Sequence, residues 1–379
     1  MKTGNSAGLY IHIPFCRSKC NYCDFNSYPI SGFHEKVPSY TDALLKEIQI
    51  KVKDICIKTV FVGGGTPTVL SDVELEKVLN GISEFAHVEK SAEFTVEANP
   101  GTLTVSNLKM MRKTGVNRLS IGMQSTDDKT LKLFGRCHSY EEFLESYKKS
   151  KDAGFTNINI DLIFGVPNQA LSDVKRDLER VVSLQPEHIS IYNLILEEGT
   201  ILNDEVKKGV LKHLPEELES DMYYFIKDYL EKADYNHYEI SNFAKPGKEC
   251  EHNKIYWKNE DYIGVGAGAS GKIGLKRSEN PDDVNKYIVL IKYIKNDILH
   301  NQKISRETEI SETVFLGLRM LEGLNLTRFK NRFGKDFFIL FKKEYGKLLD
   351  LNLLEEENGS VKLTRTALFL SNEVFVEFV

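Results

Sequence analysis

Apolar residues in the first half of the chain fall into two alternating patterns. Short, mostly apolar runs stand at Leu9 to Ile13, Lys58 to Val62, Ala92 to Val96, Val116 to Ile121, Asn157 to Phe164 and His188 to Leu194. Runs of that length, rich in Val, Ile and Phe, are the pattern of strands covered on both faces. Between them apolar residues recur three and four apart, as at Leu44, Leu45, Ile48 and Val52 within Ser39 to Lys53, and again over Val105 to Lys113 and Leu171 to Leu184. That spacing predicts helices. Ser71 with Glu74, and Ser139 with Glu142, are Ser-x-x-Glu pairs that mark helix starts, the second helix running to Ala153. Strand alternating with helix predicts right-handed βαβ units and a parallel sheet. Polar or glycine positions return near the C-terminal ends of these strands, at Gly64, Glu97, Gln124 and Asp161. In barrel-like α/β folds that end carries the chemistry.

The pattern changes further on. A long helix is expected over Glu216 to Ala233, a strand over Tyr238 to Ile240, and a helix over Asp282 to Ile294. Residues 242 to 271, which hold the runs CEHNKIYW and GVGAGASG, show no period and are expected to be irregular. A domain boundary near residues 297 to 304 divides the chain into 1–297 and 298–379. The second part reads as a helix (Glu309 to Leu321), a short helix (Thr327 to Phe333), a longer helix (Asp336 to Leu349), a hairpin turning at Asn358-Gly359, and a helix from Thr364 onward. That is a winged-helix-like α+β pattern. Residues 300 to 379 hold 12 Lys and Arg against 12 Asp and Glu, so their formal charges cancel. A DNA-reading module needs a basic face, so this domain is read as a packing lid or interaction domain.

Composition narrows the setting. The net charge of -5 gives no reason to expect nucleic acid. Three of the six cysteines form one cluster and Cys56, Cys137 and Cys250 are scattered, which is not a disulfide framework; clustered thiolates need a reducing compartment. No apolar run is long enough to span a membrane, and the opening MKTGNSAG lacks the apolar core of a signal peptide. A cytoplasmic protein is expected, with peripheral membrane contact left open.

The chemistry centres on residues 10 to 25, YIHIPFCRSKCNYCDF. Cys16, Cys20 and Cys23 make a C-x3-C-x2-C run after the first strand, and thiolates so spaced can converge from one loop on a soft metal centre. Three thiolates hold three corners of a cubane iron–sulfur cluster and leave the fourth iron open. The alternative, a zinc loop with His34 or Cys56 as a distant fourth ligand, lacks the second C-x2-C pair such sites normally use. The GGGTP run, Gly63 to Pro67, follows a strand; its glycines can let backbone approach a ligand and expose N–H donors. GAGASG, Gly266 to Gly271, formally fits a dinucleotide fingerprint, but no periodic helix follows it directly, so a glycine-rich turn near the barrel mouth is expected instead.

The cysteine run, with Tyr22 before its last cysteine, resembles the radical S-adenosylmethionine (SAM) superfamily. Its flanks, YIHIPFC and YCDFNSY, resemble one branch, the oxygen-independent coproporphyrinogen III oxidases and their relatives, the HemW-type haem chaperones. The resemblance covers nearly the whole chain. It implies a partial TIM-like barrel open on one side, a [4Fe–4S] cluster on the three cysteines, SAM chelated to the open iron, and its one-electron cleavage to a 5'-deoxyadenosyl radical. It places Tyr10, Tyr22, Gly64, Gly65, Thr66 and Glu97 around that SAM, and Gln124, Arg136 and Asp161 around a second SAM in the oxidases. His252, Asn253, Tyr256 and Trp257 spell H-N-x-x-Y-W, which resembles a signature of the chaperone branch that is associated with haem ligation by the histidine. Tyr256 and Trp257, four and five residues on, are expected to form one pocket wall with the imidazole. The oxidases carry a further cysteine where this chain has Phe25. The resemblance therefore favours a haem chaperone that binds cluster, SAM and haem, takes electrons from a donor and passes haem to haem-requiring proteins such as respiratory enzymes; a homodimer is left open. The alternatives are oxidative decarboxylation of coproporphyrinogen III, and a cluster-bearing scaffold without SAM chemistry.

Overall fold

The computed structural model describes residues 6–294 and 301–379. Six strands lie side by side in chain order and run parallel: β1 (Ser6–Ile13), β2 (Cys56–Gly64), β3 (His87–Ala98), β4 (Arg118–Gln124), β5 (Ile158–Phe164) and β6 (His188–Asn193). The helices expected between them are present. They are α1 (Val37–Lys51), α2 (Asp72–Phe85), α3 (Val105–Lys113), α4 (Asp128–Leu133) with α5 (Tyr140–Asp152), and α6 (Leu171–Ser183). Ser71 Oγ accepts from the Glu74 N–H at the start of α2, and Ser139 with Glu142 forms a complete capping box at the start of α5. The chain continues through α7 (Ile201–Lys207) and α8 (Glu216–Lys232).

Residues 242 to 271 are not irregular. They contribute strands to both edges of the sheet and a helix between them. After β7 (Asn236–Glu239), β8 (Asn242–Ala244) pairs antiparallel with β6. Helix α9 (Glu251–Trp257) follows, and β9 (Tyr262–Val265) then joins the far side of β1 in parallel. β10 (Ser270–Ile273), β11 (Lys276–Glu279) and, after α10 (Val284–Tyr293), β12 (Asn301–Lys303) extend that edge antiparallel. Elements this short do not complete enough of a period to show in the sequence. The sheet has twelve strands in the order β12-β11-β10-β9-β1-β2-β3-β4-β5-β6-β8-β7. Its two edge strands do not pair with each other among the described residues, which gives the open, TIM-like partial barrel.

Leu9, Ile11 and Ile13 on one face of β1 are buried against the helices, whereas Tyr10 on the other face stays half-buried in the barrel interior. The glycine-rich loop between β9 and β10 folds onto the end of β1. Glu47 of α1 holds it there: its carboxylate accepts from Gly266 N (2.9 Å), Tyr287 Oη (2.6 Å), Asn280 Nδ2 (2.8 Å) and Lys51 Nζ (2.7 Å). Gly266 has φ +102°, and a Cβ there would lie 2.5 Å from the His12 carbonyl oxygen. The loop is thus a packing turn at the mouth of the barrel, as expected.

The domain boundary expected near residues 297 to 304 lies partly outside the described residues; on the described side, Asn301–Lys303 is still a strand of the large sheet. The C-terminal domain contains α11 (Arg306–Gly317), β13 (Leu324–Asn325), α12 (Leu326–Phe333), α13 (Phe337–Leu340), α14 (Lys342–Asp350), the hairpin β14 (Leu354–Glu357) and β15 (Ser360–Leu363), and α15 (Ser371–Val376). Asn358 and Gly359 have φ of 52° and 74°, the twist a two-residue hairpin requires. Three boundaries differ from expectation. Ser305 caps α11 earlier, and that helix ends at Gly317. The helix expected over Asp336 to Leu349 breaks at Phe341, which lets both Phe337 and Phe341 pack on Phe378. A 3-10 turn, Arg365–Ala367, precedes α15 where a continuous helix was expected. This domain is joined to the barrel by Arg365 on Asp228 (2.8 and 2.9 Å) and by Arg319, which lies 4.2 Å from the Trp257 ring centroid and 3.7 Å from Glu239. Among the described residues no helix is long and apolar enough to cross a membrane.

Candidate cluster and cofactor site

β1 ends at Ile13 and the chain opens into the cysteine loop at the C-terminal end of the barrel. Phe15–Cys16 pairs with Tyr28–Pro29, closing the loop at its base. Its tip is held by Asn21, whose N–H donates to the Phe134 carbonyl (2.9 Å), whose Nδ2 donates to the Leu133 carbonyl (2.8 Å), and whose carbonyl accepts from Leu202 N (2.9 Å). Tyr22 packs edge-on against Phe134 at 4.8 Å. The three loop cysteines are free thiols, partly exposed. Burial, more than the neighbouring thiols, raises the pKa of Cys16 and Cys23, so thiolates here need cationic or hydrogen-bonding compensation. Two donors already reach them: Thr66 Oγ1 stands 3.5 Å from Cys16 Sγ and Arg136 Nη1 stands 3.5 Å from Cys20 Sγ.

Among the described residues no three His, Cys, Asp or Glu side chains converge tightly enough to chelate a single ion. A single tetrahedral zinc would hold its sulfurs roughly 3.8 Å apart, given Zn–S bonds near 2.3 Å. A cubane takes each thiolate on a different iron and asks for a wider set. Three soft donors on one clamped loop fit that group. Cys56, the distant ligand considered for zinc, begins β2 and bonds Glu89, at the opposite end of the strand from Gly64. Eight residues of strand place it roughly 26 Å from that end.

The GGGTP loop docks on the cysteine loop through its backbone. Its N–H groups are not free: Gly64 N donates to Glu97 Oε2 (3.0 Å), Gly65 N to the Ile13 carbonyl (2.8 Å) and Thr66 N to the Phe15 carbonyl (2.7 Å). A Cβ at Gly65 would lie 2.6 Å from the Phe15 carbonyl oxygen, and one at Gly64, where φ is +102°, would overlap the His12 ring. The glycines let this loop dock directly on the cysteine loop, and the Thr66 side chain is what it presents.

The remaining expected residues gather around the barrel lumen. Tyr10, Glu97, Gln124 and Asp161 are all half-buried. Gln124 ends β4 with φ 72°, beyond a bulge in its pairing with β5, a backbone state uncommon outside glycine. Asp161 accepts from Asn159 Nδ2 (2.7 Å) and Ser120 Oγ (3.3 Å), and burial raises its pKa. Burial, then the neighbouring Asp161 carboxyl, pushes Glu97 up to about 8. Burial and the carboxyls of Asp161, Glu239 and Glu97 also raise the pKa of Tyr192, which is nevertheless 42% exposed. A side chain hemmed in by acids inside the barrel and still wetted marks an open lumen. Arg136 is no solvated loop arginine: besides Cys20, it donates to Asn99 Oδ1 (2.6 Å) and the Gly122 carbonyl (2.5 Å).

His252 does not join this group as a free ligand. It lies deeper in the lumen, its ring centroid 6.5 Å from that of Tyr10 and 5.2 Å from that of Phe61, and it is 1% exposed. Both ring nitrogens are engaged, Nδ1 with Thr59 Oγ1 (2.8 Å) and Nε2 with Tyr256 Oη (2.9 Å). Burial, then the Arg118 guanidinium, lowers its pKa to about 3, so the imidazole is neutral. Glu93 accepts from the N–H groups of Glu251 and His252 (3.1 Å each) and fixes the start of α9. In this arrangement the residue does not fit an axial haem ligand, because neither nitrogen is offered to solvent. Nor do Tyr256 and Trp257 form one wall. Five residues along a helix is 140° around it, and Trp257 turns outward to Met320, Tyr238 and Arg319. Residues that carry this region but were not singled out in the sequence are Thr59, Glu93 and Arg118, and at the mouth Asn99. Asn99 stands two residues after Glu97 at a strand end, a signal that was readable.

Two family models match the chain: Radical SAM superfamily over residues 10–181 and HemN C-terminal domain over residues 304–370. The chain is 38% identical over 376 residues to "Heme chaperone HemW" of Lactococcus lactis, covering 99% of this chain and 97% of that protein. It is 39% identical over 374 residues to the protein of the same name from Bacillus subtilis, covering 98% of each. The chain belongs to the HemW family of radical SAM proteins. The solved structure of the Escherichia coli coproporphyrinogen III oxidase HemN, described as a radical SAM enzyme, superposes with a TM-score of 0.85 at 23% identity, covering 99% of this chain and 90% of that one. That likeness establishes the fold, a radical SAM barrel followed by a C-terminal domain. Membership in the family accounts for the cysteine loop at the barrel mouth and for the shared C-terminal domain.

Proposed function

We propose that this protein is a haem chaperone that holds a [4Fe–4S] cluster on Cys16, Cys20 and Cys23, binds SAM in the lumen beside it, and delivers haem to haem-requiring proteins in a reducing, cytoplasmic setting. The observation that carries this reading is similarity along nearly the whole chain to proteins named heme chaperones. A cluster on these thiolates would supply single electrons, drawn from a donor protein, and an open iron for SAM. The protein's own part is to clamp the loop through Asn21, to place donors on Cys16 and Cys20, and to keep Tyr10, Glu97, Gln124 and Asp161 turned to the lumen. Phe25, 68% exposed, occupies the position of the oxidases' additional cysteine, which speaks against the decarboxylase reading. Haem ligation by His252 requires both of its hydrogen bonds to break and α9 to shift. The division into two domains belongs to the same reading, but it falls after Lys303, since Asn301–Lys303 still pairs with the large sheet; the C-terminal part is then a lid or partner surface.

The test is anaerobic reconstitution followed by two assays side by side. Stoichiometric haem uptake, seen as a Soret band, with no decarboxylated product from coproporphyrinogen III is the expected result. Turnover of about one per second or faster, typical of enzymes, would overturn it. Because His252 is sealed in this arrangement, His252→Ala should leave iron content unchanged, and a loss of haem uptake in it would show that α9 opens to release the imidazole. The control is His34→Ala, because His34 is exposed and outside the motif.

A further inference from the structure

Between the two donors that reach the loop sulfurs stands one side chain. Asn99 follows β3, fixed by its own carbonyl accepting from Thr102 N (3.1 Å) and Thr102 Oγ1 (2.6 Å). Its amide is used at both ends. Nδ2 donates to Thr66 Oγ1 at 2.7 Å, and Oδ1 accepts from Arg136 Nη2 at 2.6 Å. Thr66 Oγ1 in turn lies 3.5 Å from Cys16 Sγ, and Arg136 Nη1 lies 3.5 Å from Cys20 Sγ. The path Cys16–Thr66–Asn99–Arg136–Cys20 is continuous, and it joins the loops after β1, β2 and β3 to the connection between α4 and α5.

The direction of the protons matters. A threonine hydroxyl has one hydrogen and can accept at its oxygen. Because Asn99 Nδ2 supplies the hydrogen in the Asn99–Thr66 bond, the Thr66 hydrogen remains for Cys16 Sγ. Because Asn99 Oδ1 accepts from one guanidinium nitrogen, the other is aimed at Cys20 Sγ. An aspartate of the same shape would accept the Thr66 hydrogen and take it from the sulfur. Hydrogen bonds to cluster sulfurs stabilise the reduced, more negative state and raise the reduction potential.

We infer that Asn99 is a positioning residue that sets the reduction potential of the cluster by directing one hydrogen bond to each of two cysteine sulfurs. This rests on the cluster reading above, and the experiment separates the two. The full-length protein is reconstituted anaerobically, and the cluster is titrated by EPR without SAM in the parent, Asn99→Asp and Thr66→Val. Iron content and melting temperature are measured alongside. Asn99→Asp should retain the iron and shift the midpoint negative, lowering the ratio of reduced to oxidised cluster at a fixed potential about tenfold, or about 59 mV for one electron. Thr66→Val should shift it in the same direction, and the double variant should add less than the sum, since both act through the Cys16 sulfur. Should Asn99→Asp lose iron, Thr66→Val carries the test alone, because it deletes only the terminal donor. A full complement of iron with an unchanged midpoint in either variant overturns the inference. No cluster in the parent would instead overturn the reading beneath it.

Discussion

The barrel mouth and the α9 region hold their polar groups in opposite ways. At the mouth, Glu97, Asp161, Gln124 and Tyr10 are half-buried around open space, and Cys16 and Cys20 are reached by Thr66 and Arg136. At α9, His252 is sealed: both nitrogens are bonded, its backbone is capped by Glu93, and no face is wet. The first region turns acids and thiols of raised pKa toward open space that a ligand can fill; the second is complete as it stands. Two motifs that look equally functional in the sequence therefore differ in readiness. The thiols of the cysteine loop stand partly exposed, and the histidine of H-N-x-x-Y-W is closed off.

The largest expected effect falls at the mouth. Replacing Cys16, Cys20 and Cys23 together by Ala should abolish iron uptake in anaerobic reconstitution while leaving the circular dichroism of the fold intact, since the loop is also held by Asn21 and by pairing at Phe15–Cys16. Iron bound at the parent level would place the cluster elsewhere. The α9 region should respond in stability instead. His252→Ala removes a buried ring and strands Thr59 Oγ1 and Tyr256 Oη, at a cost of about 3 kcal/mol in chemical denaturation. A loss under about 1 kcal/mol would contradict a sealed site.

The two regions should also titrate in opposite directions in the cofactor-free protein. His252 has its folded pKa lowered from 6.5 to about 3. Below pH 6.5 the unfolded chain takes a proton that the folded one refuses, so its contribution to stability is lost on acidification, by about 2 kcal/mol between pH 7 and 5. Glu97 has its folded pKa raised from 4.5 to about 8. It keeps a proton that the unfolded chain releases, so stability is lost as pH rises from 4.5 to 8, by roughly 2 kcal/mol once its wetted setting is allowed for. Comparing His252→Gln and Glu97→Gln with the parent over that range isolates each contribution. The first should flatten the acid side, the second the alkaline side. Equal slopes in all three proteins would remove the contrast.

The barrel was legible because its strands are apolar runs bounded by helices with clear periods and caps; Val105–Lys113 begins and ends where the spacing places it. The cysteine loop was legible because its three cysteines are close in sequence. The partners that bracket it were not. Thr66 and Arg136 lie 33 and 37 residues from Asn99, and only the parallel pairing of neighbouring strands brings the segments that follow them together. Helix α9 escaped notice because seven residues barely complete two turns. Its motif was misread in one respect for the same reason, since Trp257 could not be assigned to a face until the helix was known. The bonding of the GGGTP loop was not legible either: its N–H groups reach Glu97 and the Ile13 and Phe15 carbonyls only once the strand ends stand side by side.

The central claim is that the mouth holds a cluster with an iron left open beside the lumen. The most direct measurement is the EPR spectrum of the dithionite-reduced, anaerobically reconstituted protein with and without SAM. The account predicts four irons per chain as one cluster, with a signal that changes on adding SAM, because three thiolates leave one iron free to bind it. Zinc in the anaerobically purified protein with no iron uptake, or a four-iron signal indifferent to SAM, would contradict it.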